Sequence, residues 1–251
     1  TIEVISTDAE GRMILADATG PRGTHTYALP AAADPEAMQY VGAVAFHSWG
    51  GGSAADYSAW GDLAERLKLP LLVTELGVDA GAWRTRAFDS YLYALREVSM
   101  YQELLLHARP QGTMQWEFTS DYSIVKEVKN EKGEVTIQPT PRFWFVKHFC
   151  NLTPLKSQAL TTASDNAKVL FTAFSGEVAA KPVLTLHVSN SGAQRSATIT
   201  GIPAGTTRLN AVRTSEQDSF RTLEPVPVVD GKAQLTLTAQ SLLTLTTADL
   251  P

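Results

Sequence analysis

The chain has 251 residues, 44% of them hydrophobic and 19% charged, a composition that builds buried cores and excludes a disordered polyelectrolyte. Its net charge of −5, without long runs of one sign, excludes a basic face for nucleic acid and argues against anionic membrane surfaces. No apolar stretch approaches the roughly 20 residues that span a bilayer, and Cys150 stands alone, which excludes an intrachain disulfide.

Residues 12–17 (RMILAD) read as a short buried strand ending in Asp17, followed by a loop with Gly20, Pro21 and Gly23. Asp34-Pro35-Glu36 is a helix start with proline at the first helical position. Residues 41–49 (VGAVAFHSW) form a second apolar run that ends in polar and aromatic groups, and Gly50-Gly51-Gly52 follows as a loop. Over residues 56–68, Trp60, Leu63, Ala64 and Leu67 line one face of a helix. Residues 69–74 form the next apolar run, closed by Glu75. Residues 83–108 are the longest helical stretch, and residues 112–118 (GTMQWEF) another strand. Cys150 lies in an aromatic segment and reads as a small core hydrophobe. Strands that alternate with helices imply parallel pairing.

Four such strands are half of a closed (β/α)8 barrel, which takes roughly 250 residues by itself. Residues 1–155 therefore read as the carboxyl half of a barrel, strands five to eight, or as a small open α/β sheet. Beyond residue 156 the pattern changes. Residues 169–174, 183–188, 196–199, 207–213, 234–237 and 242–247 alternate with period two and are rich in Thr and Val. They predict an antiparallel β-sandwich over residues 156–251, with Asp230-Gly231 as a hairpin turn.

Glu75 is the residue with the clearest chemical implication. A carboxylate at the carboxyl end of a buried strand is costly to bury, and in (β/α) barrels that end is where catalytic side chains project. Capping of the following loop is the alternative. His47 ends its strand in the same way and can donate from one nitrogen while accepting at the other, or can be a satisfied core histidine. Trp116 can stack on a sugar ring or fill a helix–sheet layer. Alternation puts Thr113, Gln115 and Glu117 on one strand face and Met114, Trp116 and Phe118 on the other, and the apolar set is expected to face the helices. The remaining histidines have no metal-ligand spacing, and Gly50-Gly51-Gly52 lacks the lysine of a phosphate-binding loop, so neither a metal nor another cofactor is expected.

Residues 34–49, the run Thr113-Met114-Gln115-Trp116-Glu117-Phe118 and residues 139–154 together resemble the glucosylceramidase-type retaining glycoside hydrolases of clan A, family 30-like enzymes. The resemblance implies a partial (β/α)8 barrel with a side β-domain, a carbohydrate substrate and a secreted or periplasmic location. It maps the nucleophile onto Glu75, the orienting of substrate or nucleophile onto His47, a donor to the nucleophile onto the position of Trp49 and the sugar platform onto Trp116; Asp17, ending its strand, reads as a rim or substrate contact or as a loop cap, and Glu117 as a binding or structural residue. Trp49 stands where the family more often has a tyrosine. Nothing maps onto the family's acid/base glutamate after strand four, which implies a fragment with the nucleophile half of the site, completed by a missing amino-terminal barrel half or by pairing into a homodimer. An irregular peptide after Trp116 is a family feature that turns this side chain inward. The rival reading is a non-catalytic carbohydrate-binding or scaffold module.

Overall fold

The computed structural model describes residues 17–118 and 122–250, so the strand expected at residues 12–17 lies outside the described residues except for Asp17. Contacts divide the chain into two compact units. One joins the residues up to Thr85 with Glu103–Ser123, and the other joins Arg86–Gln102 with Ile124–Pro251.

The first unit is built on a four-stranded parallel sheet in the order β1 (Asp17–Ala18), β2 (Val44–His47), β3 (Leu71–Leu76) and β4 (Gly112–Gln115). Asp34 caps the one-turn helix Pro35–Met38, its Oδ1 accepting from Glu36 N and Ala37 N at 2.8 and 3.3 Å. Ser53 opens α1 (Ala54–Leu67) with a capping box: its Oγ accepts from Asp56 N, and Asp56 Oδ2 accepts from Ser53 N. α1 buries Tyr57, Trp60, Leu63 and Ala64. Phe46 of β2 stacks on Tyr57 and Trp60 with ring centroids 6.4 and 5.1 Å apart. Each such ring removes about 150–250 Å² from water, which stabilises by roughly 4–6 kcal/mol. These contacts orient the sheet. The face that carries Phe46 is covered by α1, and the face that carries Ala45 and His47 is the other one.

β3 does not keep its alternation. Phe46 pairs with Val73 but His47 pairs with Glu75, so Thr74 is an extra residue and the strand carries a β-bulge. The register with β4 shifts over the same stretch, from Val73–Thr113 to Leu76–Gln115. The bulge lets the neighbours Thr74 and Glu75 both reach the face that His47 occupies.

The helix expected over residues 83–108 is interrupted. Short 3-10 turns at Ala82–Arg84 and Ala87–Asp89 precede α2 (Tyr91–Glu103), and a π-helical turn, Leu104–Ala108, follows it. The break has a backbone cause: Arg86 sits at φ 53° and Ser90 is extended.

The second unit contains α2 as far as Gln102, α3 (Pro141–Leu152), the hairpin β5 (Val125–Lys129) and β6 (Val135–Pro139), and an eight-stranded antiparallel sheet. Its strands are β7 (Gln158–Leu160), β8 (Val169–Val178), β9 (Lys181–Asn190), β10 (Arg195–Thr200), β11 (Arg208–Thr214), β12 (Arg221–Val229), β13 (Lys232–Leu237) and β14 (Ser241–Thr246). They run in the order β10-β13-β12-β11-β14-β9-β8-β7, and the sheet curls so that Ile199, Ala233 and Leu237 pack with Ala173, Leu186, Val188, Leu209, Leu243 and Leu245. β12 pairs with β11 along most of its length and with β13 only at Val228 and Val229, which is how one strand serves both layers. Asp230 and Gly231 form the β12–β13 turn at φ 49° and 68°, the left-handed pair that a two-residue hairpin requires.

The other face of the long strands is buried and polar. Thr153 Oγ1, His187, Thr244 Oγ1, His148 and Thr214 Oγ1 form a continuous hydrogen-bonded file, with links of 2.7, 2.7, 2.7 and 2.9 Å. Glu97 of α2 and Arg142 of α3 form a bidentate buried pair at 2.9 and 3.0 Å. Cys150 departs from expectation: it is exposed, because α3 turns Phe145, His148, Phe149 and Leu152 inward and Cys150 outward. No helix among the described residues is long and apolar enough to cross a membrane.

Candidate active site

The carboxyl ends of β1, β2 and β3 bring Asp17, His47 and Glu75 into one file. His47 Nε2 lies 3.2 Å from Asp17 Oδ2, and His47 Nδ1 lies 3.0 Å from Glu75 Oε2. Thr74, the bulge residue, donates its hydroxyl to the Asp17 carboxylate at 3.0 Å. An ionised carboxylate only accepts. With both acids charged, both contacts to His47 are donations only when its ring carries a proton on each nitrogen. The imidazole is fixed in plane from both sides. The Glu75 side chain is 24% exposed against 12% for His47 and 9% for Asp17, so the file opens to solvent at Glu75.

Trp49, two residues past the last paired position of β2, donates its indole N–H to the same Glu75 Oε2 at 2.8 Å. Its ring meets Trp116 edge-on at 6.5 Å and Tyr122 at 5.8 Å. Tyr122 is held in turn by its hydroxyl, which donates to Asp79 O at 2.8 Å. An aromatic wall thus stands beside the open carboxylate, of the kind on which a pyranose ring stacks its C–H face.

The orientation of β4 reverses the expectation from its sequence. Val73 shares the helix-covered face with Phe46, and it pairs with Thr113, while Leu76 pairs with Gln115. Thr113 and Gln115 therefore look toward the helix layer, and Met114 and Trp116 share the face of His47 and Glu75. Met114 and Phe118 are 57% and 63% exposed, which is not how an apolar set packed under helices behaves. The Trp116–Glu117 peptide is cis, so the strand ends in the irregularity that the resemblance implied. Glu117 is half-buried; its backbone N–H donates to Tyr122 O, and among the described residues its carboxylate makes no hydrogen bond or ion pair.

Four further residues belong to the arrangement and carry weak sequence signals: Ser48, Thr74, Gly77 and Tyr122. Thr74 and Tyr122 enter through a bulge and a loop, neither of which leaves a period to read. Ser48 and Gly77 are small residues flanking obvious ones, and only their hydrogen bonds reveal them.

This combination, a parallel half-sheet with its polar site at the carboxyl ends and a curled antiparallel sheet after it, also occurs in solved structures. A family 30 endoxylanase from Clostridium papyrosolvens C71 matches with a TM-score of 0.72 over 90% of this chain and 53% of its own, at 15% identity. The fold is that of the family 30 glycoside hydrolases. A family 30 subfamily 8 xylanase from Clostridium acetobutylicum matches at TM-score 0.66, with 14% identity over 88% of this chain and 52% of its own. The catalytic domain of the family 30 xylanase C from Talaromyces cellulolyticus matches at 0.64, with 16% identity over 90% and 49%. The chain thus spans about half the length of these family 30 structures. No protein-family model and no curated protein sequence matches it.

Proposed function

We propose that this chain carries the nucleophile half of a retaining β-glycosidase acting on a β-linked glycan, with residues 1–155 as the carboxyl half of the barrel and residues 156–251 as its side β-domain. The observation that carries the reading is Glu75, held on one oxygen by Trp49 and His47 at the open end of a parallel sheet. A retaining enzyme needs one carboxylate to attack the anomeric carbon and a second carboxyl, about 5–5.5 Å away, to protonate the leaving oxygen. Glu75 takes the first role. Asp17 does not take the second, because the imidazole of His47 lies between the two acids. The proton donor is assigned to a part of the barrel that the family 30 structures have and these described residues do not supply.

In the reaction, a lone pair of Glu75 forms the bond to the anomeric carbon while the glycosidic electron pair leaves with the aglycone oxygen. Water then hydrolyses the glycosyl ester. His47 balances the charge of Glu75, Asp17 and Thr74 hold His47 in place, and Trp116 with Trp49 forms the sugar wall.

The test uses 2,4-dinitrophenyl 2-deoxy-2-fluoro-β-xyloside and its glucoside, whose leaving group needs no protonation. Intact mass spectrometry should find one glycosyl unit added, peptide mapping should place it on Glu75, and Glu75→Gln should take up none. Oligosaccharide binding that survives Glu75→Gln, with no adduct from either probe, would support the non-catalytic binding module instead.

A further inference from the structure

We infer that Ser48 and Gly77, both buried, are positioning residues that seat the Trp49 indole so that it holds Oε2 of Glu75 and leaves Oε1 as the attacking oxygen. The inference rests on the assignment of Glu75 as nucleophile and adds the residues that aim it.

Past the ends of β2 and β3 the two chains stay zipped. Ser48 N donates to Glu75 O at 2.9 Å and Gly50 N donates to Val78 O at 3.0 Å. Between these bonds, Ser48 Oγ donates to Gly77 O and accepts from Gly77 N, each at 2.9 Å. One hydroxyl therefore satisfies both backbone groups of Gly77, where water has no access. The six-membered ring of Trp49 lies directly on that clasped glycine. A β-carbon built on Gly77 would fall 2.1 Å from Trp49 Cζ3 and 2.4 Å from Cη2, distances no real contact tolerates. Any side chain at position 77 must push the indole away.

The opposite edge of the indole delivers its N–H to Oε2 at 2.8 Å, the same oxygen that faces His47 Nδ1 at 3.0 Å. Among the described residues nothing bonds to Oε1. Two donors on one oxygen fix the carboxylate's plane and lower the reactivity of that oxygen, while the other keeps its lone pairs for attack. When Oε1 bonds to the anomeric carbon and the aglycone departs with the glycosidic pair, Oε2 becomes the ester carbonyl oxygen. An indole N–H donates only, so this hold cannot reverse into an acceptor.

Three variants test this with the chain as it is: Gly77→Ala, Ser48→Ala and Trp49→Phe, the last keeping an aromatic ring while removing the donor. The first readout is the ¹H–¹⁵N indole resonance of Trp49, assigned by its loss in Trp49→Phe; Gly77→Ala should move it to the position of an indole without a carboxylate partner. The second is the inactivation kinetics with the dinitrophenyl fluoroxyloside. Gly77→Ala and Trp49→Phe should each lower the inactivation rate constant about 10–100-fold, because a donor to a charged group is lost, and in Trp49→Phe, which keeps a ring in the sugar wall, Ki should change less than about threefold. The double variant should be no slower than the slower single one. Parent-like resonance and rate in Gly77→Ala, or a parent-like rate in Trp49→Phe, overturns the inference. If the parent reacts with neither the xyloside nor the glucoside, the hydrolase reading fails, and the resonance in Gly77→Ala and Ser48→Ala still decides whether the clasp seats the indole.

Discussion

Acidifying this protein from pH 7 to 4.5 should destabilise it through two buried histidines. His187 is enclosed by the sheet and by the rings of Phe149 and Phe174, and burial pushes its pKa from 6.5 down to about 3. His148 is lowered well below its ordinary value, by burial first and then by His187 and Lys147. Their hydrogen bonds fit the neutral form. A consistent direction runs from Phe220 N to Thr214 Oγ1, from that hydroxyl to His148 Nε2, from His148 Nδ1–H to Thr244, from Thr244 to His187 Nδ1, and from His187 Nε2–H to Thr153. The two rings hold opposite tautomers, and an added proton breaks the file. In the unfolded chain both histidines take up a proton near pH 6.5, so between about 3 and 6.5 the unfolded state binds more protons than the folded one. This stabilising difference is complete above about pH 6.5 and is lost as the pH falls toward 3. His187 contributes a slope of about 1.4 kcal/mol per pH unit below 6.5, so pH 4.5 costs roughly 3 kcal/mol through this residue, and His148 adds a loss of the same sign. A domain has only about 5–15 kcal/mol in total. Urea titrations at pH 7 and 4.5, for the parent and for His187→Gln, isolate one histidine from the carboxylates that also titrate. The parent should lose about 3 kcal/mol more than the variant over this interval. Equal losses in the two proteins would refute the reasoning.

Other perturbations give independent checks. Arg142→Met leaves Glu97 buried without its partner and should cost about 3–5 kcal/mol in denaturant unfolding, whereas the double variant Glu97→Leu, Arg142→Met should recover most of that loss. Ala179 and Ala180 form the β8–β9 turn at φ 50° and 61°, a left-handed pair that costs an L side chain about 1–2 kcal/mol per residue, so A179N/A180G should raise the melting temperature by several degrees. Ser53→Ala removes the capping box of α1 and should cost about 1 kcal/mol, read from the same titrations. His47→Ala should slow fluoroglycoside trapping at least tenfold while Glu75 remains the labelled residue; labelling that shifts to another carboxylate would sink the assignment of Glu75.

The sequence by itself determined the elements whose signal is local. The change from alternating strands and helices to period-two strands marks the passage from parallel to antiparallel sheet, and Asp230-Gly231 announces its turn because Gly tolerates the left-handed conformation. Glu75, His47 and Asp17 were legible because each ends an apolar run, and strand ends are where such groups can reach water. The tertiary structure decided the rest, because it depends on partners distant in the chain. Ala179-Ala180 turns against its own preference because β8 and β9 pair over ten residues on either side. β12, with Pro225 and Pro227, reads poorly as a strand and forms because it bridges β11 and β13. Hydrophobicity aimed Met114 and Trp116 at the helices, whereas pairing with the bulged β3 turns them to the face of Glu75. One inserted residue in a ladder leaves no mark on composition or period, yet it decides which face of the sheet each later side chain takes.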